Sequence, residues 1–252
     1  MPLYEASDLM RLEDIGPAPG MPSWANLRAV PNPSCTVDPA ELMGPGIYAL
    51  FLDGALFYLG IYAVPKQSVM ARWHKHVVAH TLRASQMFMS RSALVQSLSL
   101  PGPVGAGLRA CLSDAMLVQF DDFRVEHEPP SLKSRYAMRK LNFVDEDGPC
   151  APMVVRSFNT IFNKARFAEA NWDLLGPKND QKILSHITCG YERLQVGSGL
   201  AKSFIKANWL EPRETDLIRR MRPICNSHVP VGKERNNVGW LEVQQAILEA
   251  FA

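Results

Sequence analysis

One apolar stretch constrains the fold more than any other part of the chain. Residues 44–64 read GPGIYALFLDGALFYLGIYAV, which is two apolar runs separated by Asp53-Gly54. Asp-Gly between two such runs is a strong signal for a tight turn. We therefore predict a β-hairpin over residues 45–62. It carries Gly-Ile-Tyr near its start and Tyr-Leu-Gly near its end.

The hairpin can form a shared site only if its two glycine-flanked tyrosines, Tyr48 and Tyr58, lie on one face. A plain two-residue turn at Asp53-Gly54 would put them on opposite faces, because a slip of one residue in register exchanges the faces. A three-residue loop that also includes Leu52 would set Tyr48 directly across from Tyr58. We predict this loop or an equivalent bulge.

Composition limits the class of protein. The chain has 252 residues, of which 47% are hydrophobic, enough for one elaborated domain or two small ones with a sizeable core. Its formal net charge of +2 excludes a general polyanion-binding coat, so any nucleic-acid surface would be a local patch. Its five cysteines are scattered without a CxxC pair, which argues against a disulfide framework and a zinc site.

Targeting signals are not evident in the sequence. The first residues lack a positive region followed by an apolar run, and Asp53 interrupts the best candidate for a membrane span. We therefore expect a soluble cytoplasmic protein with no membrane partner.

The remaining segments divide into a proline-rich start, helices and one further strand. Residues 1–43 are predicted to form an extended N-terminal arm with one short helix over 6–15. A strand is predicted near 115–128. Apolar periodicity predicts helices over 67–84, 155–175, 179–196, 211–221 and 239–252.

The helix after the hairpin carries a polar stripe. Arg72, His76 and His80 recur every fourth residue, so they share one face beside the apolar stripe that includes Trp73. An arginine and an imidazole at the edge of a core make a plausible anion site. The alternative is a solvated face with ordinary surface histidines.

The helix predicted over 211–221 carries an acid at an unusual place. Glu214 precedes Leu217, Ile218 and Met221 at helical spacing, which places its carboxylate on the stripe that should be buried. An acid in a first turn is favoured by the helix dipole, which explains part of the pattern. A buried acid nevertheless needs a partner, such as an arginine or a metal.

These elements together resemble the GIY-YIG nuclease superfamily, which includes phage homing endonucleases, a bacterial excision-repair nuclease and several restriction endonucleases. The matching elements, in order, are Gly-Ile-Tyr (46–48), Tyr-Leu-Gly (58–60), Arg72 with His76, and Glu214-x-x-Leu-Ile followed by Pro-x-x-Asn226. The resemblance covers residues 44–80 and 205–228. The segment between them is far longer than the compact core needs. Bulky Ile61 and Tyr62 stand where a small residue or a lysine is common.

The resemblance implies an α+β fold, with a small antiparallel sheet flanked by helices and a large, mostly helical insertion. Residues 44–99 would form the first part of the core and residues 205–230 the helix with the metal ligand. Residues 100–204 would be the insertion, with the third core strand near 115–127. Residues 231–252 would form a C-terminal helix.

The resemblance also implies roles for individual residues in hydrolysis of a DNA phosphodiester with one divalent metal, Mg²⁺ or Mn²⁺. Glu214 would be the metal ligand and Arg72 would hold the scissile phosphate. Tyr48 would orient or deprotonate the water, with His76 as the alternative base and Tyr58 completing the shell. Two residues would support these five: Asn226 by bracing the metal-ligand helix, and Lys66 by supplying a cation from a displaced position.

The insertion interleaves cations, amides and aromatic residues, which are side chains that contact phosphates and base edges. The candidates for contact with double-stranded DNA are Arg135, Arg139, Lys140, Asn159, Asn163, Lys164 and Arg166. We expect a sequence-specific endonuclease of type II restriction type, in a prokaryotic or phage-type intracellular setting. The alternatives are a homing or repair nuclease and a catalytically silent DNA-binding protein. Because one active site cuts one strand, we favour a homodimer on DNA.

Overall fold

A computed structural model of the chain describes residues 1–18, 21–77, 167, 171, 174, 182–197, 199–226, 229 and 233–251, with the backbone alone at 16–18, 21–26 and 75. Within these ranges the chain is an α+β structure in which a small antiparallel sheet packs against helices. None of the helices in this part of the chain is both long and apolar enough to cross a bilayer.

Four strands form the central sheet. The described residues contain six strands in all: β1 (Leu3–Glu5), β2 (Met10–Ala18), β3 (Met21–Pro31), β4 (Gly46–Leu52), β5 (Ala55–Tyr62) and β6 (Ile187–Arg193). The central sheet has the order β1-β6-β4-β5 with every pair antiparallel, and β2 pairs with β3 in a separate hairpin. Strand β4 lies between two neighbours and is buried at every residue, which explains its unbroken apolar sequence.

The helices are α1 (Ala6–Leu9), α2 (Met70–Lys75), α3 (Lys202–Ile205), α4 (Glu211–Met221) and α5 (Trp240–Phe251). A π turn, Lys206–Leu210, joins α3 to α4 just before Pro212. Proline has no N–H for the preceding helical turn, so a change in the helical hydrogen-bond pattern is expected there. Helix α4 ends at Arg222, whose left-handed backbone (φ 48°) lets its N–H donate to the Ile218 carbonyl at 2.8 Å.

The β4–β5 hairpin has a two-residue turn and a bulge. Leu52 pairs with Ala55, and the turn residues Asp53 and Gly54 both have positive φ, as type I′ turns require. The register then shifts by one residue at Phe57, so that Leu50 pairs with Tyr58. The predicted three-residue loop is therefore absent from this hairpin, and the predicted alternative, a bulge, is present.

The bulge determines which side chains share a face. Tyr48 pairs with Gly60 and Leu50 pairs with Tyr58, so the two tyrosines lie on the same face as diagonal neighbours. They are not directly opposite each other, as the three-residue loop would have made them. Tyr191 of β6 pairs with Tyr48 and joins this face. We call it the tyrosine face; it carries Tyr48, Tyr58, Tyr62 and Tyr191.

The opposite face of the sheet forms the main hydrophobic core. Ile47, Ala49 and Phe51 of β4 lie in one buried cluster with residues of the helical segment 202–221 and of α5. The residues that these helices contribute include Ile205, Leu210, Leu217, Ile218, Met221, Val243, Ala246 and Ile247. Helix α4 therefore packs with its predicted apolar stripe towards the sheet, as the sequence indicated.

The outer edge of β5 is covered by the chain that follows α4. The Cys225 N–H donates to the Phe57 carbonyl at 2.9 Å, and the Leu56 N–H donates to the Val238 carbonyl at 2.9 Å. The bulged Phe57 is buried and stacks on Phe167, with ring centroids 5.0 Å apart. An edge strand with these partners is not open to pairing with another chain.

Two segments differ from the sequence-based expectation. The predicted helix over 179–196 is wrong, because Lys182–His186 is a 3-10 turn and Ile187–Arg193 is β6. This strand lies within the segment 100–204 that was expected to be an insertion. The segment 1–43 contributes β1 to the central sheet and forms the β2–β3 hairpin in addition to its short helix. The strand expected near 115–127 lies outside the described residues.

Candidate active site

Tyr48 lies at the centre of the tyrosine face and is fully buried. Its ring crosses the backbone of β5 at Gly60, where a Cβ atom would lie 2.5 Å from Cζ and Oη of Tyr48. Position 46 also has no room for a side chain, because a Cβ there would overlap the Glu192 carbonyl and the Tyr191 ring. The two glycines of the motif are thus explained by close approach of tyrosine rings to the sheet.

His76 joins the tyrosine face from α2. Ser68 Oγ accepts a hydrogen bond from the Met70 N–H at 3.2 Å where this helix begins, and Trp73 anchors it against Tyr191 in an edge-to-face contact with centroids 6.2 Å apart. One turn further, Nε2 of the buried His76 is 2.9 Å from the Tyr48 hydroxyl. The imidazole also lies against the Tyr58 ring, with centroids 4.1 Å apart.

Both phenols are held in their neutral form. Burial raises the pKa of Tyr48 well above its ordinary value, and burial also raises the pKa of Tyr58 to about 12. The negative charge of Glu214 acts in the same direction on both pKa values, and the positive charge of Arg72 acts against it. At neutral pH, Tyr48 is therefore a hydroxyl in a hydrogen bond with His76 rather than a free phenolate.

Arg72 and Glu214 lie on different helices, and both are near Tyr48 and Tyr58. Arg72 is exposed on α2, one turn before His76, and Glu214 is half-buried in the first turn of α4. The charge of each shifts the pKa of both Tyr48 and Tyr58, and Arg72 also lowers the pKa of Glu214. The structure therefore brings together five residues that the sequence placed far apart: Tyr48, Tyr58, Arg72, His76 and Glu214.

The Glu214 carboxyl has an unusually high pKa for an acid. Burial raises this pKa to about 7, and the nearby charge of Glu211 adds to the increase. Lys206, which pairs with Glu211 at 2.9 Å, and the backbone N–H of Ile61, which donates to the Glu214 carboxylate, act in the opposite direction. A carboxylate in this setting would gain from a further positive charge.

Asn226 has a structural position rather than a reactive one. Its side chain accepts a hydrogen bond from the Leu59 N–H at 2.9 Å and donates one to the Leu59 carbonyl at 2.7 Å. The amide is buried and occupies the edge of β5 between Tyr58 and Gly60. It therefore fastens the chain after α4 to the strand that carries Tyr58.

Lys66 lies apart from the five-residue cluster. It is exposed and lines a cavity with Arg193, and none of the five residues of the cluster lines that cavity.

The donor set at this site suits a hard cation that keeps most of its water. Within the described ranges, no three His, Cys, Asp or Glu side chains are grouped as a metal cage. Mg²⁺ is commonly held by one or two carboxylates together with water and substrate phosphate, so a single acid is compatible with it. Glu214 fits this role, because a bound cation would offset the cost of its buried charge.

Several candidate residues cannot be placed and one was missed. His80 and the DNA-contact candidates Arg135, Arg139, Lys140, Asn159, Asn163, Lys164 and Arg166 lie outside the described residues. Tyr191 was overlooked because the sequence placed it in a helix; its hydroxyl donates to the Gly44 carbonyl and its ring lies over Gly46. The β-branched and aromatic residues of Ile187-Thr188 and Tyr191 were the available signal for a strand.

A scan of protein-family models, a search of curated proteins and a search of solved structures each find no match to the chain.

Proposed function

We propose that the chain is a metal-dependent deoxyribonuclease of the GIY-YIG type. The observation that carries the proposal is the buried hydrogen bond between Tyr48 and His76, with Arg72 and Glu214 close enough to shift the pKa values of both tyrosines. Hydrolysis of a phosphodiester needs a base for the water, positive charge on the phosphoryl oxygens and stabilisation of the leaving oxygen. The cluster contains a candidate for each.

Tyr48 and His76 together supply the base. Tyr48 is fully buried, so substrate binding would have to admit the attacking water to its hydroxyl, which the raised pKa keeps neutral. As the water attacks phosphorus, it gives a proton to the Tyr48 oxygen, and Tyr48 passes its own proton to Nε2 of His76 across the 2.9 Å hydrogen bond. This route requires the tautomer of His76 in which Nε2 is unprotonated. In this proposal Tyr48 and His76, the two alternatives for the base, act together as one relay.

Arg72 and Glu214 act on the phosphate. Arg72 is exposed on α2, where its guanidinium can bind two oxygens of the scissile phosphate through its fixed fork of donors. Glu214 would hold the Mg²⁺ or Mn²⁺ ion, which when bound supplies Lewis-acid stabilisation of the leaving 3′ oxygen. Tyr58 packs against the His76 ring and keeps it in place beside Tyr48.

Within this class we propose a restriction-type enzyme that acts on specific sequences of duplex DNA as a homodimer. This proposal rests on the sequence, in which a long segment with cations, amides and aromatic residues separates the two matching parts of the core. A homing or repair nuclease remains the alternative within the same chemistry.

Incubation of the protein with plasmid and phage DNA in Mg²⁺, with Arg72→Ala as the inactive control, tests the function. Discrete bands from the wild type support the proposal, and nicking at distorted structures would indicate a repair nuclease. Intact DNA in both Mg²⁺ and Mn²⁺ would contradict the proposal and indicate a silent DNA-binding scaffold.

A further inference from the structure

A cavity of about 380 Å³ opens at the ends of the three strands that carry the tyrosine face. Gly44 and Pro45 precede β4, Pro65 and Lys66 follow β5, and Arg193 ends β6; all five line the cavity. Residues 194–197, 199 and 200 complete one side. The cavity is thus assembled from the same strands as the five-residue cluster but shares none of its residues.

The charged side chains that line the cavity are positive. Lys66 and Arg193 are its charged lining residues within the described part of the chain, and no acid is among the residues that line it. Both side chains are exposed. Arg193 is held in position, because its Nη1 donates to the Ala40 carbonyl at 3.3 Å and its aliphatic carbons lie beside Gly44. Two cations without an acid, one of them held in position, favour an anionic ligand.

The rest of the lining suits a ligand with an apolar part. Leu200 and the fully buried Ile205 form part of the lining. Gly197 and Gly199 stand beside them, and a Cβ atom at either would meet no heavy atom within 4 Å. The packing around Gly197 therefore does not require a glycine, and the missing side chain leaves its backbone open to a ligand. An anion joined to an apolar ring, such as a phosphate with its deoxyribose, matches these features.

The cavity is physically connected to the cluster. Tyr191 pairs with Tyr48 in the sheet, and its hydroxyl donates a hydrogen bond to the carbonyl of Gly44, which lines the cavity. Pro45 precedes Tyr48 by three residues, which is about 10 Å along an extended strand. A DNA strand bound at the cluster would therefore pass close to the cavity.

We propose that this cavity binds a backbone phosphate of the DNA, with its sugar, close to the bond that is cut. Lys66 and Arg193 neutralise the phosphate, and the partly buried Leu200 packs against the sugar. The inference rests on the proposed function and deepens it, since it assigns Lys66 to binding of the strand rather than to the reaction.

The test measures how duplex binding depends on salt. Fluorescence anisotropy in EDTA gives the affinity of full-length protein for a labelled duplex cut from a DNA that it cleaves, or from plasmid DNA if none is cleaved. The double variant Lys66→Ala/Arg193→Ala should bind about tenfold more weakly or worse at moderate salt. The slope of log affinity against log salt should become shallower by about one, for one lost phosphate contact.

Two controls separate charge from folding. Lys66→Arg/Arg193→Lys keeps both charges and should retain the wild-type slope. Lys182→Ala/Lys233→Ala removes two exposed cations outside the cavity and should leave affinity and slope unchanged. Melting temperatures of all variants verify that each is folded.

The outcomes distinguish this inference from the proposed function. A wild-type slope in the folded Lys66→Ala/Arg193→Ala variant would overturn the cavity assignment, whether or not the protein cuts DNA. A loss of slope that the charge-swapped variant restores supports the assignment even if Mg²⁺ elicits no cleavage. A wild-type protein that binds no duplex at low salt would overturn both.

Discussion

The Tyr48 hydroxyl and Nε2 of His76 are 2.9 Å apart in a buried hydrogen bond that joins β4 to α2. Two residues separated by 28 positions are thereby held as one proton-transfer unit. The partner of Tyr48 matters because burial raises the pKa of the phenol well above its ordinary value. A phenol in that state acts as a base only if another group accepts its proton.

The first prediction concerns this hydroxyl. Tyr48→Phe keeps the ring over Gly60 and removes the oxygen, so we expect single-turnover cleavage to fall by about 10²-fold or more. Tyr62→Phe is the matched control, because Tyr62 lies on the same face but its hydroxyl donates only a long hydrogen bond of 3.4 Å to Gln67. If the two variants cut DNA at equal rates, Tyr48 has no role in the reaction.

Arg72→Ala should separate catalysis from binding. Other contacts hold the duplex, whereas the contact of Arg72 strengthens as charge develops on the transferring phosphoryl group. We expect a loss on the order of 10²–10³ in single-turnover rate and a much smaller loss in duplex affinity. The control is Arg219→Ala, which removes an exposed arginine from α4. Equal losses of rate and affinity for Arg72→Ala would assign Arg72 to positioning alone.

Gly60→Ala tests why the motif contains glycine. A Cβ at this position would lie 2.5 Å from the Tyr48 ring, so either the ring or the strand must move. We expect the free energy of unfolding to fall by about 1–3 kcal/mol, with loss of cleavage as well. Gly197→Ala adds the same methyl group in open space and should leave the melting temperature close to that of wild type.

Part of this site could be predicted from the sequence because local periodicity determines it. The spacing of Leu217, Ile218 and Met221 placed α4 correctly, and all three are buried against the sheet. The demand that Tyr48 and Tyr58 share a face was also sufficient to predict an irregularity in the hairpin. The sequence could not decide between a three-residue loop and a bulge. The bulged Phe57 has partners that are distant in sequence, Cys225 and Phe167.

Strand β6 was missed for a physical reason. It lies between β1 and β4, so Ile187, Cys189 and Tyr191 are buried and so is the intervening Gly190, which removes a clear alternation of polar and apolar residues. The apolar residues Ile183, Leu184, Ile187 and Leu194 meanwhile imitate helical spacing. The β-branched and aromatic residues of this segment are a weaker signal, and pairing with β4, which is a non-local interaction, decides in favour of the strand.

Asn226→Ala should destabilise the fold rather than only the reaction. It removes both hydrogen bonds to the backbone of Leu59 and leaves a buried N–H and carbonyl without those partners. We expect a loss of about 2–4 kcal/mol in the free energy of unfolding. Asn208→Ala, which removes an exposed hydrogen bond to the Phe204 carbonyl, should cost less than about 0.5 kcal/mol. Denaturant unfolding of both variants checks the difference.

The raised pKa of Glu214 predicts a pH-dependent stability in EDTA. Because the folded state binds the proton more tightly than the unfolded state, the stabilisation from protonated Glu214 is complete below about pH 4.5 and is lost as the pH rises through about 7. The stability of the wild type relative to Glu214→Gln should therefore fall across this range, by an amount on the order of 1–3 kcal/mol. Glu242→Gln controls for removal of a carboxylate as such. A constant difference between the wild type and Glu214→Gln would contradict the raised pKa.

Single-turnover cleavage by Glu214→Gln in Mg²⁺, measured with the melting temperature of the same variant, tests the central claim most directly. Glutamine keeps an oxygen to accept from the Ile61 N–H, so fold and duplex binding should be nearly intact, whereas cleavage should fall by roughly 10³-fold or more. Asp216→Asn, an exposed acid on the same helix, should cut at the wild-type rate. A Glu214→Gln variant that cuts DNA at a near wild-type rate would contradict the account and leave Glu214 as a structural acid at the edge of β5.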